Sequence, residues 1–358
     1  MRLALAGGGT GGHVYPALAV AEELRSHPDV ELVYYGTERG PEHELAVQAG
    51  IAFRPIAAAQ FRGRSPVRLA KGAWNLLRGE RQAREWFRQD PPAAIFLTGG
   101  YASAPLGRAS KAARIPLVVF LPDVRPGWAV RYLQRYASTV ACSVEASLRL
   151  LAPGKSVVTG YPVRRQFREA TREAGIERFG LDGSLRTLLV AGGSQGSHPI
   201  NLVISEALRR LLERMQIVHI AGPSEEAWLA RERERLPDWQ QQRYHLLSYT
   251  EDMALAMAAA DLAVTRAGAS VLGELPAMGL PAIVIPGDFS DQHLNAAYLV
   301  ERGAAAALSS RQIDGLEETI VRLMDDERER ASMAAAAREL AHPEAAAALA
   351  AMLRELAA

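Results

Sequence analysis

One junction, written twice, constrains this chain more than any other feature. From Leu3, LALAGGGTGGHVYPALAVAEEL runs from a short apolar strand straight into glycines and then into a helix; from Leu188, LLVAGGSQGSHPINLVISEAL repeats that order. An apolar strand feeding a glycine turn and a helix is the opening unit of a parallel α/β sheet. There, residues without side chains let backbone N–H groups and the helix N-terminus approach a phosphate or sugar closely. Short apolar runs alternate with helical stretches around each junction. Leu3–Ala6, Leu32–Tyr35, Ile95–Leu97, Leu117–Phe120, Thr139–Cys142 and Val157–Thr159 read as strands of the first half. Thr187–Ala191, Ile217–Ile220, Leu262–Thr265, Ala282–Ile285 and Ala305–Leu308 read as strands of the second. Such alternation predicts parallel sheets with helices on both faces. At 358 residues, against ~100–200 per domain, the chain has room for two cores. The expected fold class is therefore α/β, two Rossmann-like domains in tandem facing a cleft, over residues 1–160 and 161–342. Gly160-Tyr161-Pro162 reads as the hinge, and the Ala/Leu-rich helix of 343–358 is expected to pack back on the first domain.

Composition narrows the function. Hydrophobic residues make up 49% and charged residues 23%, as in a folded chain and not a disordered one. Cys142 is the only cysteine, which excludes an internal disulfide framework and suits a reducing, cytosolic compartment. The N-terminal apolar run is too short for a signal peptide, and no stretch approaches ~18 charge-free apolar residues. The net charge of +1 hides an asymmetry: residues 1–160 carry 20 Lys+Arg against 12 Asp+Glu, and the remainder 21 against 28. A basic front half points to an anionic partner, phosphate or a lipid surface. Nucleic acid is not expected, because the basic residues are not interleaved with the motifs of nucleic-acid modules. Residues 61–88 concentrate the feature, with eight Arg/Lys among two Trp, two Phe and three Leu. Such a helix suits an anionic membrane, with Leu69, Trp74, Leu76 and Leu77 entering it and Arg68, Lys71 and Arg78 facing headgroups; an ordinary amphipathic surface helix has the same pattern.

The glycine turns sit where open α/β sheets bind ligands, at the C-terminal ends of strands. His13 ends the first turn and is a candidate general base, although a histidine there also suits helix capping. Gly7, Gly9 and Gly12 satisfy G-x-G-x-x-G, with Glu38 placed to hold a ribose as in a dinucleotide site; the second turn, Gly192 to Ser197, is more than one dinucleotide needs. Thr98-Gly99-Gly100-Tyr101 forms a third close-approach turn. In the second half, Arg266-Ala267-Gly268-Ala269-Ser270-Val271 leads to Glu274, a carboxylate suited to a ribose diol. Asp291-Gln292 offers an acceptor and an amide to sugar hydroxyls. No metal-ligand spacing is present and no cofactor is expected, so a departing diphosphate would be met by helix N-termini and a cation such as Arg164.

Taken together, GGTGGHVYPALAVA at 8–21, TGGYAS at 98–103, GYPVR at 160–164, GGSQGS at 192–197, RAGASVLGELPAMGLPAIVIP at 266–286 and Gln292-x-x-Asn295-Ala296 resemble the glycosyltransferase family 28 N-acetylglucosaminyltransferases of lipid II synthesis. The resemblance covers essentially the whole chain. It implies the GT-B fold and an inverting, metal-independent transfer of N-acetylglucosamine from UDP-N-acetylglucosamine to the 4-hydroxyl of a polyprenyl-diphosphate-linked muramyl peptide, at the cytoplasmic face of the cell membrane. By position it implies His13 as the base, with Thr10, Gly11 and Gly12 beside it and Gly100 and Tyr101 on the third turn. It also implies Arg164, Ser194, Gln195 and Gly196 at the diphosphate, Thr250 and Met253 flanking the uracil, and Ala269, Ser270 and Val271 as backbone donors. Glu274 falls at the ribose, with Asp291 and Gln292 at the donor sugar. Where the family has His-Glu-Gln-Asn, this chain has Phe120-Leu121-Pro122-Asp123, keeping only a polar residue, Asp123, at the last place. A GT-B transferase with another acceptor, a UDP-N-acetylglucosamine 2-epimerase and a non-catalytic UDP-sugar-binding protein share much of this pattern.

Overall fold

A computed structural model describes the whole chain except Thr10 and residues 59–65 and 288–290, together with the side chains of 66–71. The chain divides into two compact units, Met1–Arg165 with His342–Ala358, and Gln166–Ala341. The division falls after Arg165, so Arg164 belongs to the first unit. The Ala345–Ala357 helix belongs there as well and packs on the first helix of the chain and on the fourth strand.

The first unit is built on a seven-stranded sheet of order β3-β2-β1-β4-β5-β6-β7. Its strands are β1 (Arg2–Ala6), β2 (Glu31–Gly36), β3 (Ala52–Pro55), β4 (Ala94–Leu97), β5 (Leu117–Leu121), β6 (Thr139–Cys142) and β7 (Ser156–Val158). Every pairing is parallel. Its helices are α1 (Gly11–Leu24), α2 (Pro41–Gln48), α3 (Pro66–Gln89), α4 (Ser103–Ala113) and α5 (Trp128–Leu133). β4 and β5 are buried along their whole length, which is why they read as unbroken apolar runs and not as alternating ones. The second unit carries a six-stranded parallel sheet of order β10-β9-β8-β11-β12-β13. These strands are β8 (Thr187–Ala191), β9 (Gln216–Ile220), β10 (Tyr244–Leu247), β11 (Leu262–Arg266), β12 (Ala282–Ile285) and β13 (Ala305–Ala307).

Both sheets change direction of winding at one place, between β1 and β4 in the first and between β8 and β11 in the second. Register puts the ends of these strands side by side, Ala6 opposite Leu97 and Ala191 opposite Thr265. The turns that follow them leave the sheet together, and the connections wind away on opposite faces to open a crevice at the carboxyl ends. Each unit has its own core. Ile95, Leu97 and Val119 pack with Leu106 and Phe87 in the first, and Leu188, Val190 and Val264 pack with Ile204 and Leu208 in the second. Cys142 lies fully buried at the end of β6, and burial pushes its thiol pKa up to about 11. Among the described residues no helix is long and apolar enough to cross a membrane.

Candidate active site

The first turn is held open by what its glycines lack. A Cβ on Gly7 would lie 1.8 Å from the Thr98 hydroxyl, and one on Gly100, whose φ is +79°, would lie 2.1 Å from the Gly8 carbonyl oxygen. The Gly7–Gly9 and Gly99–Gly100 segments therefore pack backbone against backbone, a contact only glycine allows. Tyr101 lies against Gly9, and Tyr15 against Gly11. Gly12 is the second residue of α1 and is half-buried. Thr10 lies outside the described residues.

His13 stands in the first turn of α1, half-buried, with Nδ1 2.8 Å from the Thr98 carbonyl oxygen. A carbonyl only accepts, so Nδ1 carries the proton of the neutral ring and Nε2 keeps the basic lone pair. The Thr98 hydroxyl donates in turn to the His13 carbonyl oxygen, so residue 98 fixes both the backbone and the ring of residue 13. Arg164 stacks its guanidinium 4.3 Å from the Tyr15 ring, which places this cation one helical turn along from Gly11.

One sequence expectation changes in this unit. Glu38 is exposed on a turn and holds no place at the glycines. The carboxylate beneath them is Glu42, 1% exposed in the first turn of α2. The Phe120-Leu121 pair that replaces two polar family residues is core: Phe120 packs 6.1 Å from the Phe96 ring and 6.2 Å from the Tyr161 ring, and Leu121 joins the main apolar cluster. Asp123 is half-buried just beyond.

The second turn is shaped differently. Gly196, with φ +76°, would place a Cβ 1.9 Å from the Ala221 carbonyl oxygen, and Gly222 would place one 2.4 Å from the Gln195 carbonyl oxygen. At Gly193 and Gly268 a Cβ would meet nothing within 4 Å. Ser194 and Gln195 are exposed on the turn, directly ahead of the His198–Leu212 helix. A buried relay fixes the wall behind it. Asn201 donates from Nδ2 to the Ala221 carbonyl oxygen at 3.0 Å, and its Oδ1 lies 3.0 Å from His219 Nε2. The His219 Nδ1 then accepts from the Tyr244 hydroxyl at 2.8 Å. Burial pushes the His219 pKa down to about 3 and raises that of Tyr244, so the relay is neutral. At the edge of this wall Glu225 binds the His198 and Trp228 side chains at 2.8 and 3.0 Å.

Across the switch point, Thr265-Arg266 leads through Gly268, Ala269 and Ser270 into the Val271–Met278 helix. Ala269 and Val271 are buried, while Ser270 and Glu274 are half-buried in or next to its first turn. The Gln292 Oε1 accepts from Gly287 N–H at 2.8 Å and from Arg266 Nη2 at 3.3 Å. That orientation leaves the Gln292 amide hydrogens as the donors it presents. Asn295, fully buried, ties the same helix to the Ala267 carbonyl oxygen at 3.1 Å. Asp291 is exposed; Thr250 is buried and accepts from Asp252 N–H at 3.0 Å, next to half-buried Met253. Glu42 and Asn201 thus lie beside these turns without having been singled out in the sequence, whereas Thr98, Arg266 and Asn295 stood there only as parts of motifs. Among the described residues no group of three His, Cys, Asp or Glu could hold a metal ion.

On α3 the inward stripe is Gly79, Glu80, Ala83 and Phe87, with Gly79 against the Ala57 carbonyl. Trp74 is 69% and Leu77 55% exposed, Leu76 is half-buried, and Arg78 is exposed. The side chains of Arg68, Leu69 and Lys71 lie outside the described residues.

Residues 3–142 match the family model of the glycosyltransferase family 28 N-terminal domain, and residues 187–349 that of the family's C-terminal domain. A Roseiflexus sp. (strain RS-1) protein named UDP-N-acetylglucosamine--N-acetylmuramyl-(pentapeptide) pyrophosphoryl-undecaprenol N-acetylglucosamine transferase is 40% identical, across 99% of this chain and 95% of its own. A Desulforamulus reducens protein of the same name is 34% identical across 96% of each. Among solved structures, Acinetobacter baumannii MurG superposes with a TM-score of 0.76 at 24% identity, covering 99% of each chain. A UDP-GlcNAc 2-epimerase from Neisseria meningitidis superposes with 0.67 at 14% identity, covering 99% of this chain and 100% of its own. These two likenesses establish the architecture: two parallel-sheet, Rossmann-like domains of GT-B type.

Proposed function

The chain belongs to glycosyltransferase family 28, and from that premise we propose that it moves N-acetylglucosamine from UDP-N-acetylglucosamine to the 4-hydroxyl of the muramyl sugar of undecaprenyl-diphospho-muramoylpentapeptide, lipid I to lipid II, in peptidoglycan synthesis. The observation that carries this reading is the 40% identity to the Roseiflexus transferase, which extends over 99% of the chain and so spans both units.

In this reading the second unit holds the donor. The turn at Ser194–Gly196 and the N-terminus of the His198–Leu212 helix meet the diphosphate with partial positive charge, and Arg164 supplies a full one. Glu274 accepts from the ribose hydroxyls, Ala269, Ser270 and Val271 offer backbone donors, and Thr250 and Met253 flank the uracil. Gln292 and Asp291 address the sugar. The first unit supplies the nucleophile. His13, with its proton on Nδ1 toward Thr98, takes the acceptor's proton on Nε2 as the hydroxyl attacks the anomeric carbon. The bond to UDP breaks on the opposite face, so configuration inverts in a single displacement that uses no metal or cofactor. Gly11, Gly12, Gly100 and Tyr101 border that nucleophile. Exposed Trp74 and Leu77 beside Arg78 and Arg81 on α3 suit insertion among anionic headgroups, placing the protein peripherally on the cytoplasmic face of the membrane.

The apolar Phe120-Leu121 pair at the end of β5 favours one competing reading, a related acceptor lipid. Mass spectrometry of products formed from UDP-N-acetylglucosamine separates the two. A disaccharide on the muramyl lipid supports the proposal; turnover only with another acceptor overturns it.

A further inference from the structure

Tyr15 lies on α1 one turn beyond Gly11 and has no part in the reaction described above. Side chains on a helix lean toward its N-terminus, and this ring does so: a Cβ on Gly11 would lie 2.9 Å from the Tyr15 Cε2. Gly11 thus gives the ring its seat. On the ring rests the Arg164 guanidinium, its Cζ 4.3 Å from the ring centroid. The two residues are far apart in sequence, but both belong to the first unit and both are half-buried.

A guanidinium can be held in two ways. A carboxylate takes its N–H groups and offsets its charge, as Glu80 does for Arg84 and Arg108 in the same unit. An aromatic face attracts the cation through its quadrupole, takes none of the N–H groups in conventional hydrogen bonds and leaves the charge in place. The Tyr15 contact therefore fixes where the Arg164 charge sits without spending what a phosphate would bind. It also lowers the cost of binding. A long side chain gives up rotamer freedom when it grips a ligand, and one already resting on a ring has less to give up.

We propose that Tyr15 is a positioning residue that holds the Arg164 guanidinium ready for the diphosphate of the nucleotide sugar, so that the ring acts on the diphosphate through Arg164 and leaves nucleoside recognition alone. This rests on the reading of Arg164 as a diphosphate contact. It deepens that reading by naming the group that carries the cation.

The test is a double-mutant cycle on the full chain, with UDP affinity read by calorimetry and uridine affinity by ligand-detected NMR. Tyr15→Leu is expected to weaken UDP by roughly 3–30-fold while uridine binds as it does to wild type. Tyr15→Phe, which keeps the face and drops the hydroxyl, stays within twofold. In an Arg164→Ala background Tyr15→Leu costs less than twofold more, since the group it acts through is gone. Unchanged UDP affinity in Tyr15→Leu, an equal loss in Tyr15→Phe, a matching loss for uridine, or the same cost with and without Arg164 overturns the proposal. A second measurement uses wild type without ligand. With 15N-labelled arginine, the Arg164 Nε–H resonance, assigned by its absence in Arg164→Ala, should show nuclear Overhauser contacts to the Tyr15 ring protons, and their absence overturns the proposal. If Arg164→Ala binds UDP as tightly as wild type, the proposal falls with the diphosphate reading of Arg164; Overhauser contacts that persist then show that the reading failed and not the contact.

Discussion

The two glycine turns start from the same strand-glycine-helix order and end as different devices. In the first unit the glycines are crowded from within: a Cβ on Gly8 would run into Glu42, and one on Gly7 into Thr98. In the second, Gly196 is crowded by Ala221, but Gly193 and Gly268 face open space. The backing differs too. A carboxylate takes an amide of the first turn, while the wall behind the second is fixed by the neutral Asn201–His219–Tyr244 relay. Glycine therefore serves two purposes in one chain, admitting the protein's own atoms in the first unit and bordering open space in the second.

This division of labour can be broken most sharply at His13. His13→Ala should cut turnover by ~10²–10⁴-fold while UDP affinity, measured by calorimetry, stays at the wild-type value; a parallel loss of both would end the separation of roles. The reverse pattern belongs to Glu274. Removing its charge-assisted hydrogen bonds to a ribose should weaken UDP by roughly 10–100-fold, and equal affinity in Glu274→Ala and wild type would take it out of the donor site.

Gly196→Ala and Gly193→Ala sharpen the contrast within the second turn. Both positions have positive φ, +76° and +91°, so both variants carry about 1–2 kcal/mol of backbone strain. Only the first also drives a methyl into the Ala221 carbonyl. Gly196→Ala should melt several degrees below Gly193→Ala, and Gly193→Ala should lose UDP affinity while keeping most of its stability. Calorimetric melts with and without UDP would separate these outcomes.

The smallest effect is a pH dependence confined to the second unit. His219 has its folded pKa depressed to about 3 from 6.5, so the unfolded chain binds the proton more readily. The stabilising contribution is complete above pH 6.5 and drains away as pH falls toward 3, at roughly 1 kcal/mol per pH unit. His219→Gln can still donate to Asn201 and accept from Tyr244, and it should flatten this acid limb in melts between pH 7 and 5. An unchanged slope would place the acid sensitivity elsewhere.

The central strands and the glycine turns were legible because they are apolar runs ending in residues that have no side chain to add to a core. Two of the four edge strands were not. β3, AFRP, is half-exposed and ends in proline, and β10, YHLL, is mostly half-buried, so neither carries the unbroken apolar signal of β4 or β5. The residues that orient the sites were hidden for another reason. Thr98 acts on His13 from 85 positions away, Asn201 and His219 meet across 18, and Gln292 meets Arg266 across 26. Only the parallel register of the sheets brings them together. Glu42 was masked by its setting: a glutamate at the start of a helix is what the helix dipole favours on any exposed surface, and nothing local shows that three glycines make room to bury it.

The position of Cys142 has a practical consequence. Its thiol is fully enclosed, and a pKa near 11 leaves almost no thiolate at neutral pH. With no other cysteine in the sequence, the native protein presents no reactive sulfur to alkylating reagents. A cysteine engineered onto an exposed position of either unit would then be the single attachment point for a fluorophore or spin label, with no background to remove first.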